Sequence, residues 1–172
     1  MLSESLGLRI LVPGWPLALF RIAFGLLYLD MALQKAPWIN FGWLEGFVQK
    51  EIASPAFAWY AVFLKQAVLP NFTIFAMTTF LIEFALGVGL LFGVLTRLVA
   101  LAGFLWQVNI ALGAFNVPGE WFWIWPLLLL PLICFAFTGA GQVLGVDRWL
   151  APALRRLAEA GANWAKLLHY AT

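Results

Sequence analysis

Apolar residues gather in four blocks, at about 15–33, 72–95, 98–115 and 121–137, and polar or helix-breaking residues gather between them. Each block is close to the ~20 residues that cross ~30 Å of hydrocarbon at ~1.5 Å per residue. Pro13 and Pro16 open the first block and Lys35 and Pro37 close it, since proline is tolerated in a first helical turn and stops a helix beyond its last. Asn71 is the expected cap of the second block, glycines 87, 89 and 93 punctuate its later half, and Pro118-Gly119 turn the chain into the fourth. The stretch 36–70 is too long for a turn and too apolar for a linker. Within it Ser54-Pro55 starts a short helix over AFAWYAVFLKQAVL, expected on or dipping into the outer interface as a roof over the bundle. Beyond Gly145 the cytoplasmic tail 145–172 carries APALRRLAEAGANWAKLLHY, whose basic and apolar stripes predict one amphipathic helix on the cytoplasmic surface, for anchoring or partner docking. No internal repeat appears, and the pattern predicts a single membrane domain, 1–172: an all-α integral membrane protein built as a four-helix transmembrane bundle. The first block reads as a retained helix rather than a cleaved signal.

Composition strengthens this reading. Of 172 residues 64% are hydrophobic and only 10% charged, with a mean hydropathy of +0.93, so lipid must be the solvent. The formal net charge of +2 comes without any basic run that could track phosphates, which excludes nucleic acid as the expected partner. Alternating spans place Arg9, Arg97, Arg148, Arg155, Arg156 and Lys166 on one side and Lys35, Lys50 and Lys65 on the other. The first side is then cytoplasmic, with both termini there and the chain in the inner (cytoplasmic) membrane. Trp38, Trp43, Trp59, Trp121, Trp123 and Trp125 fall on the opposite face as an aromatic belt, some of them candidates to line a site. Cys134, the single cysteine, permits no internal disulfide and reads as a buried structural thiol. One tail histidine, His169, and one distant cysteine make no metal site, and no span holds a histidine for haem.

Ionisable groups within spans are costly, so Arg21, Asp30 and Glu83 need partners or a wet cavity and are the candidate catalytic residues. With Gln107 and Asn109 in the third span, they are expected to surround a polar chamber open to the extracytoplasmic side. Arg21 either snorkels to the headgroups or pairs with Glu83 or an anionic ligand. Asp30 either pairs with Lys35 at the interface or takes part in chemistry. Glu83, near mid-span, suits proton handling or a hydrogen bond to a quinone carbonyl. Gln107 and Asn109 either bind neighbouring helices together or join the substrate site with Lys35, Gln34, Arg21 and Trp121.

The run LFRIAFGLLYLDMALQK, then VLPNF, IEFALGVGLLFGVLTR, PGEWFWIW and TGAGQVLGVDRWL resembles, in order and spacing, the DoxX-like family over roughly residues 17–150. Within it the chain is most similar to the DoxD group of small membrane subunits of thiosulfate:quinone oxidoreductases. The resemblance implies a four-helix subunit that oxidises thiosulfate to tetrathionate, with quinone as electron acceptor. It places the family's arginine on Arg21, its QK pair on Gln34 and Lys35, and its second-span glutamate on Glu83. Its GxxTR turn falls on Gly93, Thr96 and Arg97, its EW pair on Glu120 and Trp121, and its closing GxD on Gly145 and Asp147. Many members have a histidine where this chain has Asp30. With no haem ligand, iron–sulfur cysteines or flavin motif in the sequence, either thiosulfate and quinone react in adjacent sites or a partner subunit supplies the carrier. Two further expectations are a non-catalytic accessory subunit of a larger respiratory or photosynthetic complex, binding lipid or quinone, and a small transporter, disfavoured by the lack of an inverted repeat.

Overall fold

The computed structural model describes residues 13–172; Arg9, used above for orientation, lies outside them. All regular elements among these residues are helical. Helix α1 (Trp15–Leu33) carries Pro16 in its first turn, where no hydrogen bond is lost. Two helices follow in the loop, α2 (Gly42–Ala53) and α3 (Ala58–Phe63), and then α4 (Phe72–Phe92) and α5 (Thr96–Ala114). Helix α6 (Ile124–Phe137) leads to α7 (Asp147–Glu159) and α8 (Asn163–Tyr170).

Three helical stretches are long and apolar enough to cross a membrane: α1, the unbroken run Ala58–Phe92, and α5. This is a membrane protein. The fourth expected span is shorter than its apolar block. Turns occupy 117–123, and α6 has 14 residues, about 21 Å of rise; Pro126 falls in its first turn, where a missing N–H costs no helical bond, and Pro131 lies in its interior.

The roof helix and second span are not separate. The run from Ala58 to Phe92 is 35 residues, about 50 Å, well beyond a hydrocarbon core. It widens into a π-turn at Leu64–Val68 and tightens at Leu69–Asn71 around Pro70, whose ring cannot sit in an unperturbed helix interior. Asn71 is therefore no cap, and its Nδ2 donates to the Ala67 carbonyl instead (3.1 Å). Helix α2 was not anticipated. The single tail helix is two, parted at Gly161, whose φ of +97° is left-handed.

Helices α1 and α4 meet almost backbone to backbone. A Cβ on Gly25 would overlap the Leu91 backbone, and one on Gly87 would lie 2.8 Å from the Leu29 nitrogen. Small residues at such crossings permit the van der Waals contact that holds membrane helices together. Phe24, Tyr28, Leu86, Leu90, Leu132 and Phe135 form the core between α1, α4, α5 and α6, while α2 and α3 pack Val48 and Tyr60 on Leu64 and Val68. Five belt tryptophans are exposed, but Trp125 turns inward and is buried. Cys134 is exposed rather than buried, on the α6 face opposite Phe20 and Phe24 of α1.

Candidate functional site

The intramembrane ions separate into two places. The first is a clasp where α4 ends and α5 begins. Helix α4 stops at Gly93 (φ +64°), and Gly93 and Val94 both donate their N–H to the Gly89 carbonyl. The next carbonyls, of Leu90 and Leu91, have no helical partner. Arg21 reaches across from α1 to supply one: its Nη1 donates to both, at 3.1 Å for Leu91. Its Nε donates to Ala140 (3.1 Å) and its Nη2 to Leu144 (2.9 Å). Val146 N–H and Asp147 N–H close the series on Phe92 and Gly93 (3.0 and 2.9 Å).

Asp147 performs the complementary task at the start of α5. Its carboxylate accepts the N–H groups of Leu95 (2.7 Å) and Thr96 (2.8 Å), and the Ala171 carbonyl accepts those of Arg97 (3.0 Å) and Leu98 (3.3 Å). Four orphan donors are thereby satisfied, which is why α5 begins at Thr96 rather than at residue 98. Leu95 and Leu144 hold left-handed backbones (φ 47° and 51°), a strain of about 1–3 kcal/mol each that aims the Leu95 N–H at Asp147 and the Leu144 carbonyl at Arg21. Gly141 and Gly145 are required because a Cβ at either would collide with Thr96 and Asp147 or with the Gly141 carbonyl. Arg21, Gly93, Thr96, Gly145 and Asp147 thus build one structural joint. Arg21 neither snorkels nor pairs with Glu83.

The second place is the candidate site. Lys35, just past the end of α1, turns back into the bundle, and its Nζ meets Glu83 Oε2 of α4 at 2.8 Å while also donating to the Met31 carbonyl (3.1 Å). Trp43 of α2 covers the ammonium, 5.8 Å from the ring centre. Glu83 is fully buried, and Lys35 retains only 9% exposure. Beside them Tyr28 of α1 donates its hydroxyl to Gln107 Oε1 of α5 (3.1 Å), both residues buried. Trp106 Nε1 lies next to Glu83 without closing a hydrogen bond, and Glu83 Oε1 has no partner among the described residues. This cluster contains an ammonium, a carboxylate with one free oxygen, a phenol, an amide and an indole N–H, the groups that orient a carbonyl and move a proton.

Other expected members lie elsewhere. Asp30 is exposed and accepts a hydrogen bond from Gln34 Nε2 (2.8 Å), not from Lys35. Asn109 of α5 serves α3 instead: Tyr60 Oη lies within donating distance of its carbonyl (2.9 Å) and its Oδ1 (3.1 Å). Trp121 is exposed and packs at a tilt against Trp123, ring centres 4.9 Å apart. The five polar residues therefore do not share one chamber. A cavity of about 540 Å³ lies between α1 and α6 and one of about 180 Å³ beside α5; the residues lining both are apolar, and neither includes Glu83.

Tyr28, Trp106 and Glu51 were missed. Tyrosine or tryptophan inside an apolar span is itself a signal, because a buried O–H or N–H seeks a partner. Glu51 of α2 is buried against Gly113 of α5, and burial pushes its carboxyl up to about 7. Among the described residues no three of His, Cys, Asp and Glu come together as a metal-binding group. The chain matches no family model, no curated protein and no solved structure.

Proposed function

We propose that this chain is the membrane subunit of a quinone-linked sulfur oxidoreductase, and that the Lys35–Glu83 cluster receives the quinone head. The supporting observation is the buried ion pair itself. A buried charge pair between a spanning helix and the end of its neighbour often stabilises a fold no better than apolar residues of the same volume, so its presence favours a task beyond stability. Lys35 is the approachable member. Its ammonium donates to a quinone carbonyl beneath Trp43, while Glu83, through its free oxygen, passes a proton to the reduced ring. Tyr28 and Gln107 fix the Glu83 side of the slot. Two thiosulfate ions yield one tetrathionate and two electrons, and the quinone takes those electrons with two protons to become quinol. The choice of thiosulfate rests on the DoxX-like resemblance; the fourth span through α6 rests on its apolar block, the cytoplasmic termini and inner-membrane location on the one-sided arginines and lysines, and the partner subunit on the lack of a carrier motif in this sequence.

A second reading, the non-catalytic accessory subunit, is favoured by one observation: the cluster's side chains bond chiefly to one another, and neither cavity reaches them. Thiosulfate-dependent quinone reduction separates the two. Membranes containing the chain and its native partners should reduce added quinone, Glu83→Gln should lower the rate at least tenfold, and Asp30→Asn should leave it unchanged. Equal rates in membranes with and without the chain would leave only the accessory role.

A further inference from the structure

The tail helices carry a surface with a use of its own. Along α7, Asp147, Ala151 and Leu154 recur at helical spacing and are buried against the body. The opposite stripe, at spacing i, i+3, i+4, i+7, holds Trp149, Pro152, Ala153 and Arg156, all exposed. Arg148 and Arg155 flank it, Arg155 bound to Glu159 at 3.1 Å. In α8 only Ala165 is buried, while Trp164, Leu167 and Tyr170 form an exposed apolar edge beside Lys166. Trp149 is 68% exposed, and Leu167 and Tyr170 are 77% and 76% exposed.

The position of this surface in the fold indicates its surroundings. Helix α7 is tied to the end of α4 by the Val146 and Asp147 N–H groups, and the carbonyl of the residue after α8, Ala171, accepts the Arg97 and Leu98 amides in the first turn of α5. Both helices therefore sit at the level where two spanning helices meet the membrane boundary. Tryptophan and tyrosine favour that level, and arginine and lysine can lay their stems on apolar surface there while reaching phosphate. The charge is one-sided. Of the segment's two carboxylates, Asp147 is buried and holds two backbone amides, which leaves Glu159 alone against Arg148, Arg155, Arg156 and Lys166.

We propose that the exposed faces of α7 and α8 form a docking surface for the headgroups of anionic phospholipids in the adjoining leaflet. Tryptophan and leucine enter the headgroup boundary, and Arg148, Arg156 and Lys166 contact lipid phosphate and glycerol. Each basic residue near an anionic surface contributes about fivefold in affinity, an effect that salt weakens.

Native mass spectrometry of the purified full chain, with phosphatidylglycerol and phosphatidylcholine of the same acyl chains in competition, tests this. The wild type should retain phosphatidylglycerol at least tenfold over phosphatidylcholine, and the triple variant Arg148→Gln/Arg156→Gln/Lys166→Gln should retain both about equally. The charge-keeping Arg148→Lys/Arg156→Lys variant should preserve the preference. If the triple variant fails to fold, phosphatidylglycerol-dependent thermal protection of the wild type at 50 and 500 mM salt replaces it, and the protection should shrink severalfold at the higher salt. No preference in the wild type, an undiminished preference in the triple variant, or salt-independent protection would overturn the proposal and turn α7–α8 into a protein-binding face.

Discussion

Replacing Arg21 with methionine should unfold the protein far more readily without touching its chemistry. The side chain is fully buried and donates to four carbonyls, those of Leu90, Leu91, Ala140 and Leu144. Methionine fills much of the same volume and supplies no donor. Hydrogen bonds from a charged group contribute about 1.5–3 kcal/mol each, but the guanidinium also recovers several kcal/mol of hydration when removed. What remains is the cost of acceptors stranded in an apolar joint, with Asp147 deprived of a neighbouring cation, about 3–5 kcal/mol in all. At roughly 2–4 °C per kcal/mol for a chain of this size, the midpoint should fall by about 10–15 °C. Arg21→Lys keeps the charge but loses the planar fork and should recover about half. Thermal unfolding followed by circular dichroism in one detergent measures all three proteins, and quinone reduction per folded molecule should stay near wild type. A midpoint within 2 °C of wild type together with lost activity would show that Arg21 belongs to the reaction and that the clasp is misread.

Three other outcomes follow from the same structure. Lys35→Met and Glu83→Leu should each cost about 3–5 kcal/mol, because each strands a buried charge, whereas the double variant should return to within about 1 kcal/mol of wild type; additive losses in a thermal double-mutant cycle would contradict the pair. Asp147→Ala should cost about 1–2 kcal/mol and speed amide exchange at Leu95 and Thr96 before other α5 amides; unchanged protection there would oppose the capping role. Glu51 binds its proton more tightly folded than unfolded, so stability is greatest below its ordinary value of 4.5 and falls as pH rises through about 7, by about 3 kcal/mol at most. Midpoints measured from pH 4 to 8 should show that decline in the wild type and a flatter profile in Glu51→Gln; parallel profiles would rule it out.

Span-length apolar blocks were legible because hydrocarbon selects for them over a whole window, and Arg21 and Glu83 stood out because ions are rare there. Which ion meets which was not legible. Asp30 and Lys35 look like neighbours, yet five residues at ~100° each set them roughly 140° apart around a helix, so Asp30 faces Gln34 while Lys35 turns inward to Glu83. Arg21 and Glu83 share the α1–α4 interface, but Arg21 bonds at Leu90, seven residues and about 10 Å deeper along α4. The clasp was hidden for a different reason. Its partners are backbone carbonyls and amides, which every residue carries, and only Gly93, Gly141 and Gly145 hint at the close approach. Proline placement misled as well, since Pro70 distorts a continuous helix without ending it and Pro131 sits in the interior of α6.

The central claim is that a quinone head sits at Lys35 and Glu83, and photolabelling by a light-activated quinone analogue in native membranes examines it most directly. Labelled peptides should contain residues 28–35 or 83–107, excess natural quinone should suppress them, and Lys35→Met/Glu83→Leu should abolish them while its midpoint stays near wild type. Displaceable labelling that survives intact in this double variant, or that falls only on the α1–α6 groove around Leu27 and Leu130, would contradict the claim.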